Sequence, residues 1–169
     1  MDYQGKTALI TGASSGIGLA YAEEFARRGS NLVLVARRAD LLDQIATKIS
    51  AFAKVKVTVI AMDLATFEAG QQLADKVAEL KIDVDFLVNN AGFGTNARLV
   101  DEDREVIQKE MVLNMLTLVD LTAIFIKPMV KRGCDCEHRQ HGLLPTGAGH
   151  GRLRRNQVIR ALVYNRRLG

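Results

Sequence analysis

The chain has 169 residues, 48% of them hydrophobic and 25% charged, which is the length and composition of one soluble globular domain with its own core. Its net charge of +4 is unevenly placed: from Gly133 onward seven arginines face only Asp135 and Glu137, a local excess of +5, so the basicity belongs to the tail. No run of about eighteen apolar residues appears and Met1 to Lys6 has no apolar stretch, so neither a membrane span nor a secretory signal is expected and the expected compartment is cytoplasmic. The only cysteines, Cys134 and Cys136, are too few for a disulfide framework.

In chain order, Thr7 to Ile10 is a short apolar run closed by a glycine-rich turn, as expected of a strand buried on both faces. From Gly18, Leu19, Ala22, Phe25 and Ala26 recur at helical spacing, and Arg28-Gly29 supplies a basic last turn and a stop. Asn31 to Ala36 reads as a second strand, and Leu41, Leu42, Ile45 and Ile49 mark a second helix. Val55 to Ala61 reads as a third strand, Leu73, Val77 and Leu80 as the stripe of a third helix, and Phe86 to Val88 as a fourth strand. Val112, Met115, Leu116, Val119, Ile124 and Phe125 then form a long apolar helix that stops near Pro128 to Gly133 and needs cover on more than one side. Strands alternating with helices of this length predict an α/β fold: a Rossmann-like doubly wound parallel sheet in three α/β/α layers, truncated after the long helix that follows strand 4.

The segment Thr11 to Gly18 reads T-G-A-S-S-G-I-G between strand and helix. In that setting Gly12 permits the tight turn, Gly16 lets backbone approach a pyrophosphate, and Gly18 allows close helix packing, while the helix N-terminus offers N–H groups to phosphate oxygens. Here the chain resembles the short-chain dehydrogenase/reductase family, whose signature T-G-x-x-x-G-x-G occupies this place. The second strand ends Val35-Ala36-Arg37-Arg38, where an acid would hold the ribose hydroxyls of NAD; two guanidinium groups suit a ribose 2′-phosphate and favour NADP(H) over NAD(H). The plainer alternative is that Arg37 and Arg38 are solvated residues opening a helix.

The resemblance extends from residue 3 to about 132. It implies that Asp63, with Leu64, lies at the adenine pocket, that Asn90, Ala91 and Gly92 of the N-N-A-G sequence brace the sheet and line the ribose, and that Asn114 supports a proton relay. Taken singly, Asp63 could equally be a helix cap and Asn114 a satisfied interior amide. The expected cofactor set is therefore Gly12, Ser14, Ser15, Gly16, Ile17, Gly18, Arg37, Arg38, Asp63, Leu64, Asn90, Ala91 and Gly92.

By resemblance the activity is hydride transfer between nicotinamide and a carbonyl or alcohol, with a tyrosine exchanging the proton, a serine orienting the substrate, and a lysine four residues after the tyrosine lowering the phenol pKa. None of these lies where expected, since the last serine is Ser50, the last lysine is Lys131, and Tyr164 is followed four positions later by Leu168. Of the catalytic set only Asn114 remains, so the chain as written is expected to be catalytically incompetent.

Back-translation recovers the missing groups one nucleotide later. Gln140-His141 contains a possible serine codon, Leu153-Arg154 a possible tyrosine and Gln157-Val158 a possible lysine, at separations of thirteen and four. The same frame over Cys134 to Gln140 permits A-I-V-N-I-A-S. Residues 1–132 are thus expected to form an incomplete NAD(P)-binding domain, and 133–169 an irregular basic tail translated out of frame, with a premature stop soon after Gly169.

The tail's other features then count for little. Cys134, Cys136, His138 and His141 are metal-ligand types without a supporting loop, and no metal is expected. Arg152, Arg154, Arg155, Arg160, Arg166 and Arg167 lack aromatic interleaving, and no nucleic acid is expected. The alternatives are a non-catalytic nucleotide-binding or interaction module whose tail forms a partner surface, and a chain that barely folds because its fourth strand is an exposed edge. The family also implies homo-oligomers pairing through the long helix, doubtful without the later elements, and the substrate is open among steroids, sugars, ketones and acyl groups.

Overall fold

The computed structural model describes residues 3–95 and 98–131, and the backbone of 135–140 and 161–166. The elements in order are β1 (Thr7–Thr11), α1 (Gly16–Arg27), β2 (Asn31–Ala36), α2 (Ala39–Ala53), β3 (Val57–Ala61), α3 (Ala69–Glu79) and β4 (Phe86–Val88). A continuous helical rod follows, made of α4 (Arg104–Met111), a π-helical stretch (Val112–Thr117) and α5 (Leu118–Lys131); two strands, β5 (Asp135–Gln140) and β6 (Ala161–Arg166), come after it.

One sheet runs in the order β3-β2-β1-β4-β6-β5. The first four strands are mutually parallel, with Leu9 opposite Val33 and Leu87. They are apolar because both of their faces are covered, as parallel strands require. Side chains alternate along a strand, so Leu9, Val33, Val35 and Leu87 meet Leu73 and Val77 of α3 and Leu121, Phe125 and Met129 of α5 on one face. Ala8, Ile10, Leu32, Leu34 and Phe86 meet Ala22, Phe25 and Ala26 of α1 and Leu42, Ile45 and Ile49 of α2 on the other. The expected three-layer α/β/α architecture is what the chain adopts. Tyr3, stacked 5.3 Å from the Phe86 ring and edge-on at 5.6 Å to Phe25, closes the second face at the start of the chain.

Several boundaries differ from the sequence expectation, each for a local reason. The third-helix stripe ends at Val77, because Leu80 is the C-cap and is exposed. The long helix starts earlier, at Arg104, where the Asp103 side chain caps it by accepting from the Glu105 N–H at 2.8 Å. It also continues through Pro128 to Lys131. The run Arg104–Lys131 is long and apolar enough by composition to cross a membrane, although Leu121, Phe125 and Met129 are buried against the sheet. Its cover is one-sided: Met111, Met115, Leu116, Val119 and Val130 stay exposed.

Beyond the long helix the sheet continues past β4 with β6 and then β5. β6 pairs antiparallel with β4, placing Phe86 opposite Tyr164 and Val88 opposite Leu162, and β5 pairs antiparallel with β6. A strand edge presents unpaired N–H and C=O groups, and the hairpin supplies partners to those of β4. Cys136 and His138 fall on β5 and Arg166 on β6. Cys134, His141, Arg152, Arg154, Arg155, Arg160 and Arg167 lie outside the described residues.

Candidate cofactor cleft

The carboxyl ends of β1, β2, β3 and β4 open on one cleft of about 380 Å³. The ends of parallel strands are where an α/β sheet offers a crevice, because adjacent connections diverge to opposite faces there.

The floor comes from the first turn. Gly12 has φ +66, and a Cβ on it would stand 2.9 Å from the Ala91 Cα, so both its conformation and its clearance require glycine. A Cβ on Gly18 would collide with the Gly12 carbonyl oxygen, which is how closely α1 approaches the turn. Gly18 therefore lies beneath the cleft rather than along it. Ser14, Ser15, Gly16 and Ile17 line it directly, and the space beside Gly16 is open. No side chain caps the start of α1 and no acid lies in its first turn, so its leading N–H groups are directed at this space with the positive end of the helix dipole.

Asn90 ties the floor to the wall. Its Nδ2 donates to the carbonyls of Thr11 and Gly12 at 3.0 and 3.2 Å, and its own N–H donates to Thr11 Oγ1 at 2.9 Å. Thr11 Oγ1 also accepts from the Ala91 N–H at 2.9 Å and donates to the Val88 carbonyl at 3.3 Å. These bonds lock the ends of β1 and β4 together and present Asn90, Ala91 and Gly92 to the cleft.

Arg37 and Arg38 are exposed on the rim that follows β2. Arg38 Nη2 donates to Ser14 Oγ at 3.1 Å, which draws this guanidinium across from the start of α2 to the glycine-rich turn. Two cations thus stand at the end of the cleft where a group bound along β2 would emerge. Asp63 lies on the third wall with Leu64, and its Oδ1 accepts from the Ala65 N–H at 3.0 Å, a local turn rather than a helix cap. Across from it, Glu105 holds Lys109 Nζ at 2.6 Å and raises the ammonium pKa, with Asp63 and Asp103 adding to the shift.

Asn114 sits behind the cleft and does not line it. It is 6% exposed within the π-helical stretch, where its Oδ1 accepts from the Phe93 N–H at 3.2 Å and its Nδ2 donates to the Phe93 carbonyl at 2.7 Å. The amide thus bonds the loop after β4 through both its oxygen and its nitrogen. The π-helical stretch is itself held by Thr117 Oγ1, which donates to the Leu64 carbonyl at 2.8 Å. Sequence reasoning missed Ala36, Met62, Ala65, Phe93 and Leu113, which complete the lining. Each of the five adjoins a residue it had named, and the Asn114 amide holds Phe93 onto the helical rod that carries Leu113.

The sequence model of the short chain dehydrogenase family matches residues 6–134. The chain is 35% identical over 133 residues to very-long-chain 3-oxoacyl-CoA reductase of Bos taurus, covering 76% of this chain and 42% of that protein. It is 35% identical over 143 residues to 17-beta-hydroxysteroid dehydrogenase type 3 of Homo sapiens, covering 83% and 43%. The L-sorbose reductase of Gluconobacter frateurii, solved with NADPH and L-sorbose, superimposes with a TM-score of 0.72 at 39% identity, over 79% of this chain and 51% of that one. A Sphingobium yanoikuyae short-chain dehydrogenase in complex with NADPH gives 0.71 at 38% identity, over 76% and 50%. The chain thus spans about half the length of the relatives it matches, and over that half it belongs to the short-chain dehydrogenase family.

Proposed function

We propose that this chain is the cofactor-binding half of an NADP(H)-dependent oxidoreductase, of the kind that moves a hydride between nicotinamide and a carbonyl or alcohol. The observation that carries the cofactor choice is the pair Arg37 and Arg38 on the cleft rim, with Arg38 held to Ser14 at 3.1 Å. A guanidinium fork binds a phosphate by paired charge-assisted hydrogen bonds, whereas a ribose hydroxyl is better served by the carboxylate that is missing from this rim.

In the same reading the α1 N-terminus takes the pyrophosphate, Asp63 and Leu64 the adenine, and Asn90 to Gly92 the ribose next to the nicotinamide. The bound cofactor would supply the hydride. The protein's own contribution is to orient it: the Thr11–Asn90 network fixes the floor, and the Asn114–Phe93 clamp fixes the loop above it. Proton transfer has no candidate at its expected place, since no serine follows Ser50 and no lysine follows Lys131. Accordingly the chain as given binds cofactor and does not turn over.

The test is titration of the purified chain with NADPH and, in parallel, NADH, read by nicotinamide fluorescence. Saturable binding of NADPH at least about tenfold tighter than NADH, a difference near 1.4 kcal/mol, is the expected result. Equal affinity would remove the role given to Arg37 and Arg38, and no binding of either would overturn the reading.

A further inference from the structure

We infer that the place beside β4 belongs to a parallel apolar strand encoded one base later in the same gene, and that the hairpin of β5 and β6 is its out-of-frame substitute. The inference rests on the proposed function only for the roles of serine, tyrosine and lysine. Its main support is independent of them.

The strands β1, β2 and β4 read T-A-L-I-T, N-L-V-L-V-A and F-L-V, as burial on both faces demands. The next strand in this chain, β5, reads D-C-E-H-R-Q, and it lies at the outer edge of the sheet in an antiparallel pair. The strand that does meet β4, β6, runs against the direction of the other four, and its register ends at Val88 opposite Leu162. Asn89, the next residue, is 4% exposed, and its Oδ1 has no hydrogen-bond partner among the described residues. A buried amide oxygen left so costs about 1–3 kcal/mol.

The genetic code makes the alternative specific. Cys134-Asp135-Cys136-Glu137-His138 can be encoded only as TGY-GAY-TGY-GAR-CAY. Read one base later, the first three codons yield alanine or valine, then isoleucine or threonine, then alanine or valine, whichever synonymous codons are used. The fourth yields asparagine or serine and the fifth isoleucine or threonine. A charged strand in one frame is therefore confined in the next to small and β-branched residues without charge over these five positions, beginning at the residue where the family match ends, 134. Further on, the shifted frame offers serine or asparagine from within codon 140, tyrosine among its choices from within codon 153, and lysine or arginine from within codon 157. What decides each is a synonymous base that the chain as given leaves free.

Those bases are the test. Reading the gene across codons 134 to 168 is expected to show serine, tyrosine and lysine one base later, with no stop between them; asparagine, a residue other than tyrosine, arginine or a stop at those places overturns the inference. The second arm compares the full chain with the product of the same gene lacking one base of codon 133, by thermal unfolding without cofactor. The shifted product is expected to unfold cooperatively with a midpoint higher by about 5 °C or more, and an equal or lower midpoint overturns the inference. Neither arm depends on NADPH, so failure of the cofactor reading leaves its own separate signature.

Discussion

The sheet is built in two manners. From β3 to β4 it is parallel, apolar and covered by helices on both faces; beyond β4 it is an antiparallel hairpin whose outer strand carries Asp135, Glu137, His138 and Arg139. The first part has side chains that pay for ordering by leaving water, and so its stability and its cleft are consequences of one pattern. The second is joined to the first along three paired residues, Phe86 to Val88, and also lies against α5. Backbone pairing satisfies an edge irrespective of sequence, which is why a strand can be added there without the side chains that a parallel core strand needs.

This contrast can be broken at graded strength. The largest effect is expected from Leu87→Ala, which empties a fully buried position facing α3 and α5. It should cost about 2–5 kcal/mol in chemical denaturation, and a loss under 1 kcal/mol would mean that the parallel part is not packed as described. Next is Gly18→Ala. Its Cβ meets the Gly12 carbonyl, so α1 must shift, at about 1–3 kcal/mol and with weaker NADPH binding in the same titration.

Arg38→Ala is expected to lower NADPH affinity about tenfold while leaving NADH binding within about twofold, as removal of one charge-assisted contact should. Arg166→Ala, on β6, is the control from the other region and should change neither affinity. If the two arginines behave alike, the charge on the cleft rim has no special place. The smallest effect is expected from Met115→Glu, on the uncovered side of the rod, where it should alter stability by no more than about 0.5 kcal/mol. A second copy of the chain packing on Met111, Met115 and Val119 would instead show as a drop in sedimentation-derived mass on this substitution.

Much of the candidate cleft was legible because its lining residues lie close to the strand ends in sequence. Gly12 and Gly18 answer to one turn, Arg37 and Arg38 follow directly from the end of β2, and Asn90 follows from the end of β4. The alternation of short apolar runs with helical stripes likewise set the layer architecture, since a run buried on both faces and a stripe of period 3.6 have few arrangements that hide both. The amino-acid sequence by itself also shows the change of composition after Gly133.

What only the tertiary structure decided depends on contacts between residues far apart in the chain. The Asn114 amide clamps the Phe93 backbone from 21 residues away, a contact that neither local stretch of sequence shows by itself. The rod's exposed face, with Met115 and Val119 outside and Leu121 and Phe125 inside, could not be read from a helix apolar all round. The pairing of β6 with β4 is likewise a matter of which edge is open, and an open edge is a property of the folded sheet, not of any local stretch of sequence.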